Sequence, residues 1–416
     1  MGTEPRRRLA AAIWKDDRIV VAALGGIEII SYGTLYYSIA VVANDVARDL
    51  AVTDGWIFSC FSFALFASAL MSLIAGRLMD RYGAARTMEI ASVVAAISLG
   101  VAAVSWNATV FAVALFGMQI ASAFLFYEAA VVFLVQRGGI QAKRQVTLLT
   151  LVSGLSSTLF WPLTSLLLTL ISWREIFGIY AGCNVLIALP LMVWARRRPA
   201  LGAAGLDKLH NSRVRSQSAR KAVDFALITL GFSLAAFIIS AFLGQMIPIL
   251  SSVGLGPVGP FISALFGPSQ VLILLFAASL TERMAEIDLT LLSCLLLSAA
   301  TLIVALASHS VLGVALFVVL LGFSAGLNCI CRGTLPLATY GQDRYGSRVG
   351  LINGFRLLST SLAPLFFSSV QDHYGITAAL ASLAVCGAGS MLAFGLVSIR
   401  SRRSLEPSGG VVKGKK

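Results

Sequence analysis

The sequence contains few charged residues for its length. Only 12% of its 416 residues are Asp, Glu, Lys or Arg, whereas soluble globular proteins carry about a quarter. Hydrophobic residues make up 58% of the chain. They fall into runs of about 20, the length that crosses a bilayer as a helix. A soluble domain is therefore excluded, and we expect an all-α membrane protein.

The sequence also lacks the motifs of several other protein classes. No G-x-x-x-x-G-K-[ST] loop is present, so we expect no ATP hydrolysis, no enzyme activity and no cofactor. The six cysteines lie in apolar runs without disulfide or zinc spacing. We therefore expect no metal, with a thiol-lined metalloid site as the alternative. The net charge of +13 comes from short loops and tails without interleaved aromatic residues, so we expect no nucleic-acid partner.

Twelve windows of the sequence are long and apolar enough to cross a membrane. We number them span 1 to span 12. Their predicted bounds are 19–43, 54–76, 87–106, 109–134, 145–171, 174–195, 223–250, 258–280, 288–308, 310–335, 347–370 and 375–398.

A basic polar stretch divides the twelve spans six to six. The predicted parts are an N-terminal tail 1–18, a six-helix bundle 19–195, a linker 196–222, a second six-helix bundle 223–398 and a C-terminal tail 399–416. With both termini placed in the cytoplasm, 28 of the 32 Lys and Arg residues lie on the cytoplasmic side. This asymmetry predicts a multi-pass protein with both tails cytoplasmic.

The loop between spans 2 and 3 carries the clearest motif. It reads Gly76-Arg77-Leu78-Met79-Asp80-Arg81-Tyr82-Gly83-Ala84-Ala85-Arg86. Gly76 and Gly83 suit a tight turn, and Asp80 can join neighbouring helix ends by charge-assisted hydrogen bonds. The loop resembles the signature G-[RK]-L-x-D-R-x-G-x-[RK] of the major facilitator superfamily, with one extra residue before the last arginine.

This resemblance implies two six-helix bundles that transport a small solute by alternating access. It also implies a cytoplasmic gate formed by Gly76, Arg77, Asp80, Arg81, Gly83, Arg86 and Glu128. In this gate we expect Glu128 to lie near the cytoplasmic end of span 4 and to pair with Arg81 or Arg86. The related stretch 343–348 is interpreted as a solvated basic turn rather than as a second gate.

Ionisable residues inside the spans are costly and are therefore candidates for function. Glu28 lies about 14 Å into span 1, and Arg356 lies at a similar depth in span 11. We interpret Glu28 as a proton-coupling carboxylate and Arg356 as an anchor for a substrate anion. A permanent ion pair between the two is the alternative. Arg332 of span 10 either faces the substrate cavity or extends to the cytoplasmic surface.

Several uncharged residues are further candidates for substrate binding. Tyr32 and Tyr36 follow Glu28 at four-residue steps and are expected to share its helix face. The remaining candidates are Trp161, Asn328, Gln245 and Gln270. The glycine pairs 322/326 and 350/354 are predicted to allow close packing of helices.

The resemblance also suggests a substrate class. Span 4 lacks an arginine in its first half, and span 5 lacks the G-x-x-x-G-P-x-x-G-G pattern of drug–proton antiporters. Span 1, the loop from Gly76, and the stretches 160–162 and 172–174 are similar to bacterial members near the monocarboxylate and oxalate–formate branch. We expect a monomeric protein of the bacterial inner membrane, surrounded by lipid, that moves a small organic anion with protons. The alternatives are an efflux pump for a drug-like metabolite or metalloid, and a non-transporting sensor.

Overall fold

The computed structural model describes residues 4–138, 142–198, 218–252, 262–307 and 310–403. This part of the chain is helical and contains no β-strand. The helices of the first half are Glu4–Tyr32, Ser38–Asp49, Asp54–Tyr82, Ala84–Ala103, Ala108–Ser122, Tyr127–Gly138, Ala142–Ser153, Ser156–Leu168, Trp173–Cys183 and Leu189–Arg197. Those of the second half are Ser218–Ser252, Phe266–Arg283, Glu286–Ala307, Val311–Tyr340 and Tyr345–Arg403.

These helices provide twelve membrane crossings. Within the described ranges, ten helical stretches are long and apolar enough to span a bilayer. One of them, Tyr345–Ser401, has 57 residues and breaks at Gly375, where φ is 82°. It therefore forms two crossings. The remaining predicted span, span 8, corresponds to the helix Phe266–Arg283, whose apolar part is the shorter stretch Phe266–Ala277. The predicted fold class, an all-α protein with twelve transmembrane helices, is confirmed.

Polar side chains mark where several spans begin on the predicted outer side. Thr53 accepts a hydrogen bond from the Trp56 amide, and Asn107 accepts one from the Val110 amide. Ser172 forms a capping box with Glu175. Such caps satisfy amide groups that have no partner inside the helix. They fix the starts of spans 2, 4 and 6.

Two π-helical turns, Gly33–Tyr37 in span 1 and Asn184–Ala188 in span 6, face each other. The Asn184 side chain donates to the Thr34 hydroxyl at 3.1 Å. Gln119 of span 4 donates to the Leu35 carbonyl at 2.6 Å. These side chains stabilise a wider turn in span 1, which changes the helical register beyond Tyr32.

Glycines let particular spans approach closely, as the sequence predicted. A side chain at Gly322 or Gly326 of span 10 would meet Ser269, Gln270 or Ile273 of span 8. A side chain at Gly350 or Gly354 of span 11 would meet Ser72, Leu73 or Gly76 of span 2. Span 11 thereby packs directly on the first half of the chain.

Two spans are longer in the structure than the sequence predicted. Span 1 continues to Asp49 rather than to residue 43, and span 4 continues to Gly138 rather than to residue 134. Most of the predicted linker, residues 199–217, lies outside the described residues, so the domain bounds stay a prediction.

Candidate functional site

The site is built around an interruption in span 4. The helix Ala108–Ser122 ends before residues 123–126, and a new helix begins at Tyr127. Glu128 thus lies in the first turn of a helix, where the exposed amide groups favour a negative charge. Irregular backbone at membrane depth is tolerated where it is buried in protein or lines a cavity. The interruption at residues 123–126 therefore indicates a place where span 4 is buried in protein or lines a cavity.

Glu128 binds two arginines of the second half. Its Oε1 atom lies 3.0 Å from Arg332 Nη1 and 3.6 Å from Arg356 Nη2. All three side chains are largely buried: the exposed fraction is 11% for Glu128, 14% for Arg332 and 18% for Arg356. We call Glu128, Arg332 and Arg356 the charge cluster. Since one carboxylate faces two guanidinium groups, the cluster carries an excess positive charge.

Neighbouring residues hold both guanidinium groups in place. The Nε and Nη2 atoms of Arg356 donate to Asn353 Oδ1 at 3.0 and 2.7 Å. Asn353 in turn donates to the Ser72 hydroxyl at 3.0 Å. The Arg332 guanidinium lies 4.7 Å from the centre of the Tyr127 ring, a cation–π arrangement. Both guanidinium groups are therefore held in defined positions by neighbouring side chains.

The charge cluster lies deep in the membrane. Glu128 is ten residues from Gly138, Arg332 eight from Tyr340 and Arg356 eleven from Tyr345, the predicted cytoplasmic ends of their helices. At the rise of an α-helix these separations are about 12 to 17 Å. The hydrocarbon core is about 30 Å thick. The cluster is therefore close to the membrane midplane.

Glu28 lies beside the cluster and is fully buried. Its Oε2 atom accepts a hydrogen bond from Ser153 of span 5, and Oε1 has no hydrogen-bond partner within the described ranges. Glu28 lies within electrostatic reach of Glu128 and Arg332. The alternative of a permanent Glu28–Arg356 pair is wrong, because Arg356 pairs with Glu128 instead. Equal depth did not fix which side chains face each other.

Aromatic residues of span 1 lie on the outer side of the cluster. Tyr32 stacks on Phe126 with the ring centres 3.9 Å apart. Because the π-helical turn changes the register, Tyr36 is directed to span 2, where its ring lies 5.5 Å from that of Phe61. Tyr37 makes the edge contact with Trp161, at 5.7 Å. Tyr36 also lies within electrostatic reach of Arg356, so Tyr32 and Tyr36 are both near the charge cluster and their role in substrate binding stays a prediction.

The remaining substrate-binding candidates have different surroundings. Asn328 is buried one turn before Arg332, and its Nδ2 atom lacks a hydrogen-bond partner in the part of the chain that the structure describes. Gln270 packs on the glycines of span 10. The side chain of Gln245 lies outside the described residues. Of these three, Asn328 is the one that lies on the same helix as a member of the charge cluster, one turn before Arg332.

Asp80 joins the two halves on the predicted cytoplasmic side. Its carboxylate accepts hydrogen bonds from the Gly346 amide at 2.8 Å, the Ser347 amide at 2.7 Å and the Ser347 hydroxyl at 2.5 Å. These groups form the start of the helix that contains span 11. We call this contact the Asp80 latch. The stretch 343–348, interpreted from the sequence as a solvated turn, thus contributes Gly346 and Ser347 to a contact between the halves, while Asp343 is exposed.

Two further expectations about the gate were wrong. Glu128 pairs with Arg332 and Arg356 rather than with Arg81 or Arg86, because span 4 extends to Gly138 and places Glu128 deeper than its predicted end implied. Gly83 does form the turn, with φ of 85°. Gly76 instead lies inside a helix, where a side chain would collide with Gly346.

A second ion pair joins the halves on the same side. Lys143 Nζ of span 5 lies 2.8 Å from Glu286 Oε1, at the start of span 9. Arg77, Arg81 and Arg86 are exposed and pair with no carboxylate among the described residues. The latch therefore depends on the acid of the signature loop and not on its arginines.

We expect Asp80→Asn to open the predicted cytoplasmic side. The variant loses charge-assisted hydrogen bonds, which contribute about 1.5–3 kcal/mol each, so the inward-facing population should rise at least about tenfold. The measurement is the labelling rate of Cys329, adjacent to Arg332, by an impermeant maleimide in inverted vesicles, with the other cysteines replaced by serine.

Asp343→Asn is the matched control. The Asp343 side chain is 78% exposed in the same region and lies outside the latch. Its removal should leave the labelling rate unchanged. Equal labelling of Asp80→Asn and the parent protein would show that the latch does not hold this side closed.

No site for a resident cofactor or metal is evident in this part of the molecule. Among the described residues, no three His, Cys, Asp or Glu side chains lie close enough together to hold a metal ion. The chemistry available at the centre is that of two arginines, two carboxyl groups and surrounding aromatic rings.

Comparison with known proteins agrees with this architecture. The family model of the Major Facilitator Superfamily matches residues 24–364. The chain therefore belongs to this superfamily, and it is a secondary transporter rather than an enzyme. No curated protein matches the sequence significantly.

Three solved structures show the same fold. The human organic anion transporter MFSD10 (TETRAN) is 16% identical, with a TM-score of 0.67 over 91% of this chain and 99% of its own. The E. coli fucose:proton symporter FucP, in the outward conformation, is 16% identical, with a TM-score of 0.66 over 92% and 99%. The proton:xylose symporter XylE is 13% identical, with a TM-score of 0.67 over 92% and 95%. At these identities the likeness concerns the fold alone.

Sequence reasoning selected the charged residues but missed their supporting groups. Ser72, Tyr127, Ser153 and Asn353 hold the charged side chains in place and were not among the candidates. Asn353 precedes Arg356 by one helical turn, which is a usable signal. The interruption of span 4 contains neither glycine nor proline and gave no such signal.

Proposed function

We propose that this protein transports a small organic anion, of the monocarboxylate class, together with protons. The observation that carries the proposal is the charge cluster, in which Arg332 and Arg356 share the single carboxylate of Glu128. A substrate carboxylate supplies the second negative charge that this arrangement lacks. Arginine suits the task because its planar fork matches a carboxylate.

The geometry favours a substrate that engages both halves at once. Glu128 belongs to the first half and the two arginines to the second, so an anion that competes with Glu128 changes a contact between the halves. Binding energy then acts on the equilibrium between outward-facing and inward-facing states. This is the link that alternating access requires.

Glu28 is the proposed proton carrier. It lies within electrostatic reach of Glu128 and Arg332, and one of its oxygens is buried without a hydrogen-bond partner in the described structure. A substrate anion at Arg332 changes the charge that Glu28 experiences, and protonation of Glu28 changes the charge that the anion experiences. Such reciprocity couples the two bindings.

The membrane orientation is part of the proposal. Both tails are placed in the cytoplasm of a bacterial cell, with the chain in its inner membrane. The Asp80 latch and the Lys143–Glu286 pair then close the cytoplasmic side, while Tyr36 and Trp161 on the outer half are partly exposed. This arrangement corresponds to an outward-facing state. A relation to the monocarboxylate and oxalate–formate branch accords with the proposed substrate.

Counterflow in proteoliposomes tests the proposal. Vesicles loaded with formate, acetate, lactate or oxalate should accumulate the matching labelled anion transiently, whereas vesicles loaded with an amphipathic cation such as tetraphenylphosphonium should not. Exchange of the cation without exchange of any anion would support the efflux alternative and reject the anion proposal.

Glu28→Gln should separate exchange from proton coupling. The amide keeps the size and hydrogen bonding of the side chain but cannot take up a proton. We expect counterflow to continue while accumulation driven by a pH gradient falls at least about tenfold. Glu28→Asp, which retains a carboxyl group, should preserve part of the accumulation. Undiminished accumulation in Glu28→Gln would exclude Glu28 as the proton carrier.

A further inference from the structure

A cleft opens on the surface of the first half between spans 2, 3 and 4. Its volume is about 410 Å³, within the range of about 300–1,000 Å³ that is typical of small-molecule sites. Residues that line it include Tyr82, Arg86, Ile90, Val94, Ile120 and Phe124. It is separate from the charge cluster and from the contacts between the halves.

The walls of the cleft are apolar and its rim is cationic. Ile90 and Val94 are exposed, so in a membrane this surface faces lipid. Arg86 is exposed in the first turn of Ala84–Ala103, at the predicted cytoplasmic end of the cleft. Val94 is eight residues further, or about 12 Å along the helix. The cleft thus extends from the level of the lipid headgroups into the hydrocarbon region.

We propose that this cleft binds an anionic phospholipid of the cytoplasmic leaflet. An acyl chain lies against Ile90 and Val94, and the phosphate binds Arg86. The arginine forms no ion pair with a carboxylate in the described ranges, so its charge is available at the membrane surface. A guanidinium group matches a phosphate by two parallel hydrogen bonds. The charge at the rim selects an anionic headgroup over a zwitterionic one.

Native mass spectrometry of the full-length protein in detergent tests the assignment. The protein is titrated with phosphatidylglycerol and with phosphatidylcholine of the same acyl chains. We expect about fivefold tighter binding of phosphatidylglycerol at the site, the effect of one basic residue next to an anionic lipid. Glycerol 3-phosphate, which lacks acyl chains, should not displace the lipid.

Two pairs of variants locate the site. Ile90→Trp fills the cleft and should weaken both lipids about tenfold, whereas Ile97→Trp, two turns along the same helix and equally exposed, should have no effect. Arg86→Gln should remove the preference for phosphatidylglycerol. Arg283→Gln removes an exposed charge at the end of span 8, outside the cleft, and should retain the preference.

Three outcomes would overturn the proposal. Equal affinity of the parent protein for the two lipids would show that charge is not recognised. Unchanged binding in Ile90→Trp would place the lipid elsewhere. Displacement by glycerol 3-phosphate would indicate a site for a soluble phosphate ester. None of these outcomes bears on the transport of an organic anion, which the counterflow assay tests separately.

Discussion

Arg356→Gln is expected to weaken substrate binding about thirtyfold or more. Removal of one partner from a buried, hydrogen-bonded charge pair costs about 2–5 kcal/mol, and 1.4 kcal/mol corresponds to a tenfold change in Kd. The protein should still fold, because Glu128 keeps its 3.0 Å contact with Arg332. The measurement is the concentration dependence of anion counterflow, together with direct anion binding by the purified protein.

Arg348→Gln is the matched control for this prediction. Arg348 lies two turns earlier on the same helix and pairs with Asp343 in the preceding loop, at 3.8 Å. Its loss removes an equal charge from the same span without touching the cluster. If both variants bind the anion like the parent protein, Arg356 is not a substrate anchor.

Glu128→Gln is expected to have the largest effect on stability. Without this carboxylate, two buried guanidinium groups face each other and both lose their ion-pair partner. Breaking a buried pair in this way costs about 3–5 kcal/mol. We expect a clear fall in the Tm of the purified protein and loss of transport.

The same variant offers a chemical rescue. A small carboxylate such as acetate can occupy the position that Glu128 leaves, and a ligand that binds the folded state stabilises it. Acetate should therefore raise the Tm of Glu128→Gln more than that of the parent protein.

Asp45→Asn is the control for stability. Asp45 pairs with Arg48 at 3.4 Å, and the two side chains are 40% and 79% exposed. Surface pairs of this kind contribute about 0–1 kcal/mol. A Tm of Glu128→Gln equal to that of Asp45→Asn would contradict the central role of Glu128.

The fold was largely predictable, because the membrane restricts what a chain can do. Hydropathy located the spans, and the distribution of Lys and Arg gave their predicted direction. Turns that require unusual backbone geometry were also predictable, since Gly83 adopts a positive φ where the signature loop turns. Close approaches at Gly322 and Gly350 followed from the absence of a side chain.

The pairing within the site was not predictable from depth. Glu28, Glu128, Arg332 and Arg356 were all selected as ionisable residues in or near spans. Which of them meet depends on where span 4 is interrupted and on the π-helical turn in span 1. Both features rotate part of a helix about its axis, and no residue pattern in the sequence predicted either of them. The roles of these residues in transport stay predictions for the variants above.

The Asp80 latch has a consequence for how the two halves can diverge in sequence. Two of its three hydrogen bonds come from backbone amides, which every residue except proline supplies. Only glycine fits at position 346, since any Cβ there would lie 2.6 Å from Asp80 Oδ1. Asp80 of the first half thus binds mainly the backbone amides at a helix terminus rather than a particular side chain. The Asp80 latch therefore requires an acid at position 80 and a glycine at position 346, whereas the other residues of the turn can vary.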